Sequence, residues 1–148
     1  MEDQDRPLLF YVATSFSNRG MAKKVIAALE NTQQGNFMQC THDWTNETFD
    51  DYEHRRKEIC KADFEGTASC DVFILLMPDG RGACTELGIA LRSGAICLVW
   101  GENEQAFIGS YPYENIFNNH PSVQKITMPF DEFLSTLQRE GLIPFLNI

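Results

Sequence analysis

The stretch DVFILLMPDGRGACTELG, residues 71–88, decides the fold. Its first part, Val72 to Met77, is an uninterrupted apolar run, which is typical of a strand buried on both faces of a sheet. Pro78-Asp79-Gly80 ends this strand, and Gly82 to Gly94 indicates a loop that passes into a helix. A buried strand followed by a helix is half of a βαβ unit, so the stretch predicts an α/β protein with a mostly parallel sheet.

Further strands flank this stretch on both sides. Leu8 to Ala13 and Ala95 to Trp100 are apolar runs that predict two more buried strands. Phe37 to Thr41 predicts a short strand, and Val123 to Ile126 predicts an edge strand. Strands that alternate with helices imply right-handed βαβ connections, and the length is that of one domain over residues 1–148.

Apolar residues at helical spacing predict the helices between these strands. The pattern indicates helices over residues 21–29 and 52–69, a short helical turn over 116–120, and a final helix over 131–140 that Asp131 caps. The long helix over 52–69 is expected to turn five side chains towards the core, namely Tyr52, Ile59, Cys60, Phe64 and Ala68.

Composition and charge narrow the class of protein. The chain has 148 residues and a net charge of −9, which argues against broad contact with a nucleic-acid backbone or an anionic membrane. The chain begins with acidic residues, whereas a signal peptide begins with basic ones, so no signal peptide is expected. It has no apolar run of the length that a membrane span needs, so no membrane span is expected either. Five cysteines without CxxC spacing favour reduced thiols over disulfides or a zinc site. We expect a cytoplasmic protein that binds a small molecule and requires no metal or other cofactor.

Polar residues concentrate in the loops expected at one edge of the sheet, because ligands of parallel α/β sheets bind beyond the carboxyl ends of the strands. The loop after the first strand contains Ser15, Ser17 and Arg19, which suit sugar or phosphate contacts and suit helix capping equally well. The loop after the second strand contains His42-Asp43-Trp44, which combines a proton carrier, a carboxylate and an aromatic ring able to stack on a base.

The loop after the third strand leads into the strongest candidate. Gly80-Arg81-Gly82 is expected to turn the backbone sharply and to approach a ligand closely. Glu86 follows where the next helix begins, and free N–H groups at a helix start favour an anion. We therefore expect Glu86 to stay ionised, as a nucleophile must. The alternative interpretation is an ordinary turn with a surface carboxylate in the first helical turn.

Three further residues come from the strands and the long helix. Asp63 lies near the end of the long helix and is a second candidate carboxylate, or else a solvated surface acid. Asp71 opens the third strand, where a structural role in binding nearby amides is favoured over catalysis. Tyr11, inside the first strand, places a hydroxyl near the ligand edge or packs in the core.

These segments together resemble the nucleoside 2-deoxyribosyltransferase-like superfamily, in particular its small bacterial members and the related deoxynucleoside monophosphate N-glycosidases. The most specific part is Gly-x-Gly followed by Thr-Glu-Leu-Gly after a buried strand. The resemblance spans residues 8 to 126. The matching segments are Phe10–Phe16, His42–Thr45, Ala62–Asp63, Cys70–Phe73, Gly80–Gly88 and Asn119–Val123.

The resemblance implies a fold, an assembly and a mechanism. The fold is a flavodoxin-like or Rossmann-like three-layer α/β sandwich, and the assembly is a homodimer or larger oligomer. Glu86 would attack the anomeric carbon of a 2′-deoxynucleoside or its 5′-monophosphate, release the base and hold the sugar covalently. Asp63 would handle the proton of the departing base, and Tyr11 would position the nucleophile. This chemistry suits an ionised Glu86 and a more shielded Asp63 with a raised pKa.

The resemblance leaves several questions open. Monophosphate hydrolases of the family hold the 5′-phosphate in the first loop, which implies that role for Ser15, Ser17 and Arg19. Transferases often add a polar residue from a neighbouring subunit, for which the candidates are Asn115, Asn118 and Asn119. Transfer and hydrolysis therefore both stay open. Two other hypotheses are a phosphoribohydrolase for ribonucleoside monophosphates and a nucleotide-sensing module without turnover.

Overall fold

The computed structural model describes residues 6–32, 38–108 and 115–146. These residues form a five-stranded sheet in which every neighbouring pair of strands is parallel. The strands are β1 (Leu8–Ala13), β2 (Met38–Cys40), β3 (Val72–Leu76), β4 (Ile96–Gly101) and β5 (Val123–Thr127). Their order in the sheet is β2-β1-β3-β4-β5. The prediction of a mostly parallel α/β fold is confirmed.

Helices cover the sheet and complete the three-layer α/β arrangement. The α-helices are α1 (Arg19–Glu30), α2 (Phe49–His54), α3 (Arg56–Ser69), α4 (Arg81–Ser93), α5 (Gln105–Ile108) and α6 (Phe130–Glu140). Short 3-10 turns occupy Phe16–Asn18, Ile116–Asn119 and Ile143–Phe145. Helix α1 packs against α6, and α3 packs against α4. No helix in the described part of the chain is long and apolar enough to cross a membrane.

The strand order reverses direction between β1 and β3, which is where ligands commonly bind in sheets of this kind. From β1 the chain moves outward to the edge strand β2 and then returns to the other side of β1 as β3. Helices that follow neighbouring strands on opposite sides leave a crevice at the carboxyl ends of those strands. The pairing of Ala13 with Leu75 brings the ends of β1 and β3 side by side.

The central strands are buried because both faces of the sheet are covered. All residues of β3 are buried, which explains its continuous apolar sequence. The edge strand β5 has only Ile126 buried, as predicted for an edge strand. Asp71 precedes β3 and accepts a hydrogen bond from the backbone N–H of Leu9, so its predicted structural role is confirmed. Residues 38–40 confirm the second strand, while Phe37 lies outside the described residues.

The prediction of one helix over residues 52–69 is wrong in two respects. The backbone leaves the helical conformation at Arg55, with φ −125° and ψ 31°, and α2 begins earlier in a capping box between Thr48 and Asp51. Cys60 is exposed and Phe64 is 53% exposed, whereas Ile59 is buried as expected. Helix α3 therefore presents a narrower apolar face than its sequence suggested.

The prediction that Asp131 caps the final helix is also wrong. Pro129 occupies the N-cap position, and Asp131 lies within the first turn of α6. Proline has no N–H to contribute and its fixed φ suits a helix start, so the helix begins one residue earlier. The Asp131 carboxylate still interacts favourably with the positive end of the helix dipole.

Candidate active site

A cleft of about 420 Å³ lies at the carboxyl ends of β1 and β3. The three residues predicted to carry the chemistry, Tyr11, Asp63 and Glu86, all line it. They come from β1, α3 and α4 respectively. Elements far apart in sequence therefore bring two carboxyl groups and a phenol together at the crevice between the two strands.

Glu86 is held from one side by the hydroxyl of Tyr11, which donates a hydrogen bond to its Oε2 atom. Thr67 Oγ1 lies 3.4 Å from the same oxygen. Helix α4 begins at Arg81, so Glu86 lies in its second turn, and the prediction that it lies at the helix start is wrong. Burial, together with the nearby charge of Asp63, raises the pKa of Glu86 to about 8. The hydrogen bonds from Tyr11 and Thr67 act in the opposite direction and lower it. The expectation that the helix start keeps Glu86 ionised is therefore not met.

Tyr11 is a rigid hydrogen-bond donor. It is fully buried, and its ring stacks on that of Phe73 with the centroids 6.0 Å apart. Burial and the charge of Glu86 raise the pKa of the Tyr11 phenol far above its ordinary value. The hydroxyl therefore keeps its proton and can donate it only as a hydrogen bond.

Asp63 faces the cleft from α3 and contacts a second layer of polar side chains. Its Oδ1 atom lies 3.2 Å from His42 Nε2, and the same nitrogen lies 3.3 Å from Glu47 Oε1. Burial and the charge of Glu47 raise the pKa of Asp63 to about 6, although His42 opposes the shift. The predicted raised pKa of Asp63 agrees with this environment.

The three residues predicted to bind substrate in the loop after β2 differ in where their side chains lie. His42 contacts Asp63 from behind and does not line the cleft. Asp43 accepts hydrogen bonds from the backbone and hydroxyl of Thr45, so it shapes its own loop. Trp44 borders the cleft but is only 5% exposed, and its indole N–H donates to the Val12 carbonyl at 2.7 Å. Buried in this way, Trp44 offers little ring surface to a base.

Exposed aromatic surface at the cleft comes instead from Phe16, Phe49 and Tyr52. The Phe16 ring lies 5.1 Å from that of Phe49 and 5.3 Å from that of Tyr52, measured between centroids. Phe49 is 79% exposed, which is unusual for so large an apolar side chain. This surface was not identified from the sequence, since Phe16 and Phe49 follow no strand or helix periodicity.

Only one of the three polar residues predicted in the first loop lines the cleft. Ser15 lines it, and Ser17 Oγ lies 3.2 Å from Ser15 Oγ on the exposed side. Arg19 places its guanidinium over the Phe16 ring, 4.8 Å from the centroid, and donates to the Glu47 carbonyl at 3.1 Å. Arg19 thus contacts the aromatic surface of Phe16 from the side away from the cleft.

The start of α4 forms the opposite wall. Gly80, Arg81 and Gly82 all line the cleft, and no side chain caps the helix. Gly80 has an extended backbone, so the predicted sharp turn is not what requires glycine there. A Cβ on Gly80 would lie 3.3 Å from Ser15 Cα, so the two loops approach closely, while a Cβ on Gly82 would meet nothing within 4 Å. The first amides of α4 and the Arg81 side chain can therefore receive an anion.

Two buried residues that were not identified from the sequence support the carboxyl groups. Thr67 is fully buried and donates to the Asp63 carbonyl at 2.7 Å, in addition to its contact with Glu86. Glu47 contacts His42, with a side chain only 13% exposed. Glu47 lies in a loop whose sequence has no periodic pattern. Its contact with His42 depends on how the loop packs, so the sequence did not indicate it.

His42, Glu47 and Asp63 also have potential metal-ligand atoms within 4.8 Å of one another. His42 Nε2 lies in hydrogen-bonding geometry with Glu47 Oε1, while Asp63 Oδ1 is buried without a hydrogen-bond partner.

Of the asparagines considered for a neighbouring subunit, Asn118 is buried and Asn115 contacts Asp79 at 3.3 Å. Asn119 accepts a hydrogen bond from Lys125 at 3.0 Å.

Comparison with known proteins shows similarity at the level of fold. No protein-family model and no curated protein matches the sequence. The CMP N-glycosidase BcmB of Clostridium botulinum has a similar structure, with a TM-score of 0.56 and 18% identity over 87% of this chain and 97% of that chain. A conserved protein from Enterococcus faecalis V583 has a TM-score of 0.53 and 12% identity over 87% of this chain and 96% of that chain. The chain therefore shares its α/β fold with a nucleotide N-glycosidase.

Proposed function

We propose that this protein cleaves the N-glycosidic bond of a 2′-deoxynucleoside or its 5′-monophosphate, with Glu86 as nucleophile and Asp63 as acid and base. The observation that carries the proposal is the pairing of these two carboxyl groups in one cleft, with the Tyr11 hydroxyl bound to Glu86. The shared fold with a CMP N-glycosidase supports it.

In the proposed reaction, a Glu86 carboxylate oxygen bonds to C1′ as the C1′–N bond breaks. The bond electrons pass to the base, and the Asp63 carboxyl group supplies a proton to it. A water molecule then gives a proton to the Asp63 carboxylate and bonds to C1′, which releases Glu86. An acceptor base in place of water would give transfer. Both steps pass through oxocarbenium character, which a nearby carboxylate stabilises.

The reactive state requires a charged Glu86 beside a protonated Asp63. Burial raises the pKa of Glu86 to about 8 and that of Asp63 to about 6, so Asp63 loses its proton first as the pH rises. The reactive state is therefore the less populated arrangement of one proton on this pair. The hydrogen bond from Tyr11 favours the anion on Glu86, because Tyr11 can donate but cannot lose its proton. We assign the charge to Glu86 and the proton to Asp63 in the reactive state, because the proposed reaction needs a nucleophile at Glu86 and an acid at Asp63.

The cleft has room for a mononucleotide, since its volume of about 420 Å³ lies in the usual range for small-molecule sites. We propose that the 5′-phosphate binds at the start of α4, near Ser15 and Arg81, where free amides favour an anion. The base would lie against the aromatic surface of Phe16, Phe49 and Tyr52. The sugar would then lie between these two regions, next to Glu86.

Hydrolysis of a ribonucleoside monophosphate is a second candidate. It is favoured by the structural similarity to the C. botulinum CMP N-glycosidase, because CMP carries a ribose. The 2′-deoxynucleotide implied by the sequence resemblance differs only at the 2′ position. Both substrates need the same two carboxyl groups.

The test is a substrate panel of ribo- and deoxyribonucleosides and their 5′-monophosphates, with and without a second base. Free base without an acceptor, measured by chromatography, indicates a hydrolase, and acceptor-dependent exchange indicates a transferase. Glu86→Gln should lower the rate by at least about 10³-fold, since it removes the nucleophile. The matched control Glu132→Gln changes an exposed acid on α6 and should leave the rate unchanged. Nucleotide binding without any product would favour a sensing module and contradict the proposal.

A further inference from the structure

One imidazole nitrogen lies between two carboxyl groups behind the cleft. His42 Nε2 is 3.3 Å from Glu47 Oε1 and 3.2 Å from Asp63 Oδ1. One ring nitrogen carries at most one hydrogen, so it can donate to only one of these oxygens. The geometry satisfies a hydrogen bond with Glu47, while Asp63 Oδ1 is buried and receives none.

Glu47 is held in place more firmly than a surface acid would be. Its backbone N–H donates to the Trp44 carbonyl at 3.1 Å, and its carbonyl accepts from Arg19 at 3.1 Å. Its side chain is 13% exposed, and its Oε2 atom is buried without a hydrogen-bond partner. A buried carboxylate costs free energy unless it is paired, so its placement here needs a reason.

We propose that Glu47 is a positioning residue that accepts the His42 hydrogen and thereby leaves Asp63 without that hydrogen bond, so that Asp63 binds a proton more readily. The inference rests on the proposed function, in which Asp63 must deliver that proton to the leaving base. The Glu47 charge faces Asp63 across the imidazole and acts in the same direction.

The charges that surround Asp63 determine the sign of the expected effect. Among the described residues, the loop after β2 contributes His42 and Glu47, and α4 contributes Glu86. Helix α2 and β1 contribute the neutral phenols of Tyr52 and Tyr11. Burial and Glu47 raise the pKa of Asp63, and His42 lowers it. Removing the Glu47 charge should therefore lower the pKa, and removing His42 should raise it.

The direct test is a carbon-13 NMR titration of the Asp63 carboxyl group, with EDTA present. The Asp63 signal is assigned by its loss in Asp63→Asn. Glu47→Gln should lower the titration midpoint by about one pH unit, whereas His42→Gln should raise it. Glu58→Gln removes an equal charge from an exposed position on α3 and should leave the midpoint unchanged. Glu47→Asp, which keeps the charge, should lie between the wild type and Glu47→Gln.

Activity gives an independent measurement. If the pKa of Asp63 falls by about one unit, the protonated fraction of Asp63 falls about tenfold at pH 8 and only about twofold at pH 5. Glu47 also raises the pKa of Glu86, so its removal partly offsets the loss by increasing the ionised fraction of Glu86. Glu47→Gln should therefore lower kcat/KM by up to about tenfold at pH 8 and by no more than about twofold at pH 5. An equal loss at both pH values, or an unmoved midpoint, would show that Glu47 only supports the loop.

The two hypotheses fail separately. If the wild-type protein cleaves no substrate of the panel, the proposed function fails, while the NMR titration still decides whether Glu47 controls the proton on Asp63. If Glu47→Gln does not fold, as judged by circular dichroism, His42→Gln and Glu47→Asp decide the question. If the titration midpoint of Asp63 is the same as in the wild type in both Glu47→Gln and His42→Gln, the inference is wrong.

Discussion

Glu86 combines a charge that the proposed reaction requires with surroundings that disfavour charge. Its partners are a phenol and a threonine hydroxyl, and no Lys or Arg side chain lies among the cleft residues except Arg81 at the rim. A carboxylate in such a site is more reactive as a nucleophile and less favourable for folding. Stability and activity are thus expected to oppose each other at this residue.

The stability cost at Glu86 predicts a pH-dependent effect of Glu86→Gln. Burial raises the pKa of Glu86 from 4.5 to about 8, so the folded state favours the protonated form. The cost of charging it is absent below pH 4.5 and grows as the pH rises towards 8. After allowance for solvent screening, Glu86→Gln should increase the free energy of unfolding by about 2 kcal/mol at pH 8.5. At pH 4.5 it should leave the free energy of unfolding almost unchanged. Urea unfolding at the two pH values measures this, and an equal effect at both would contradict it.

Tyr11→Phe should act on the proton of Glu86 without altering the core. The ring stays stacked on Phe73, but the carboxylate loses its hydrogen-bond donor. The pKa of Glu86 should then rise further, and kcat/KM should fall about 10²-fold at pH 7 and less at pH 9. Thr136→Val serves as the control, because it removes a hydroxyl from α6, away from the cleft, and should leave kcat/KM unchanged. A loss that does not depend on pH would contradict this role of Tyr11.

At the scale of elements, the position of α3 brings Asp63 and Thr67 to the cleft. A Cβ on Gly66 would lie 2.8 Å from His42 Cβ and 3.3 Å from the Tyr11 ring. The Thr41 hydroxyl donates to the Gly66 carbonyl at 2.7 Å. Only glycine therefore lets α3 approach β1 and the loop after β2 closely enough to place both groups.

Gly66→Ala should displace α3 and affect both stability and activity. Overpacking of this kind costs about 1–3 kcal/mol, and the shift should lower kcat more than it changes KM. Gly88→Ala is the matched control in α4, because a Cβ there meets nothing within 4 Å. It should raise stability by about 0.5–1 kcal/mol through helix propensity. Thermal unfolding and steady-state kinetics of the two variants test this, and similar behaviour of both would contradict it.

At the scale of the whole molecule, the order of the strands determines where the site forms. The edge position of β2 opens the crevice between β1 and β3, and residues separated by dozens of positions meet there. A net charge of −9 would repel an anionic substrate at long range. Binding of a monophosphate must then depend on local donors at the start of α4.

The homo-oligomer implied by the sequence resemblance stays a prediction. We expect light scattering coupled to size-exclusion chromatography to give a dimer mass or a multiple of it. Ile116 and Phe117 are 73% and 56% exposed and follow Asn115, which contacts Asp79, the residue before Gly80 of the cleft. A monomer mass at all concentrations that support activity would contradict the prediction.

Sequence alone determined the parallel α/β architecture, because buried strands need continuous apolar runs and these occur in the chain between helical patterns. Through the family resemblance it also predicted Tyr11, Asp63 and Glu86 as site residues, and these three line one cleft, while their catalytic roles stay a proposal. Tertiary structure alone decided that Trp44 is buried, that Phe16, Phe49 and Tyr52 form the aromatic surface, and that Glu47 faces Asp63. The raised pKa of Glu86 also has its cause there, in the burial of the side chain. Burial and charge–charge contact depend on which distant segments pack together, and no local pattern of residues contains that information.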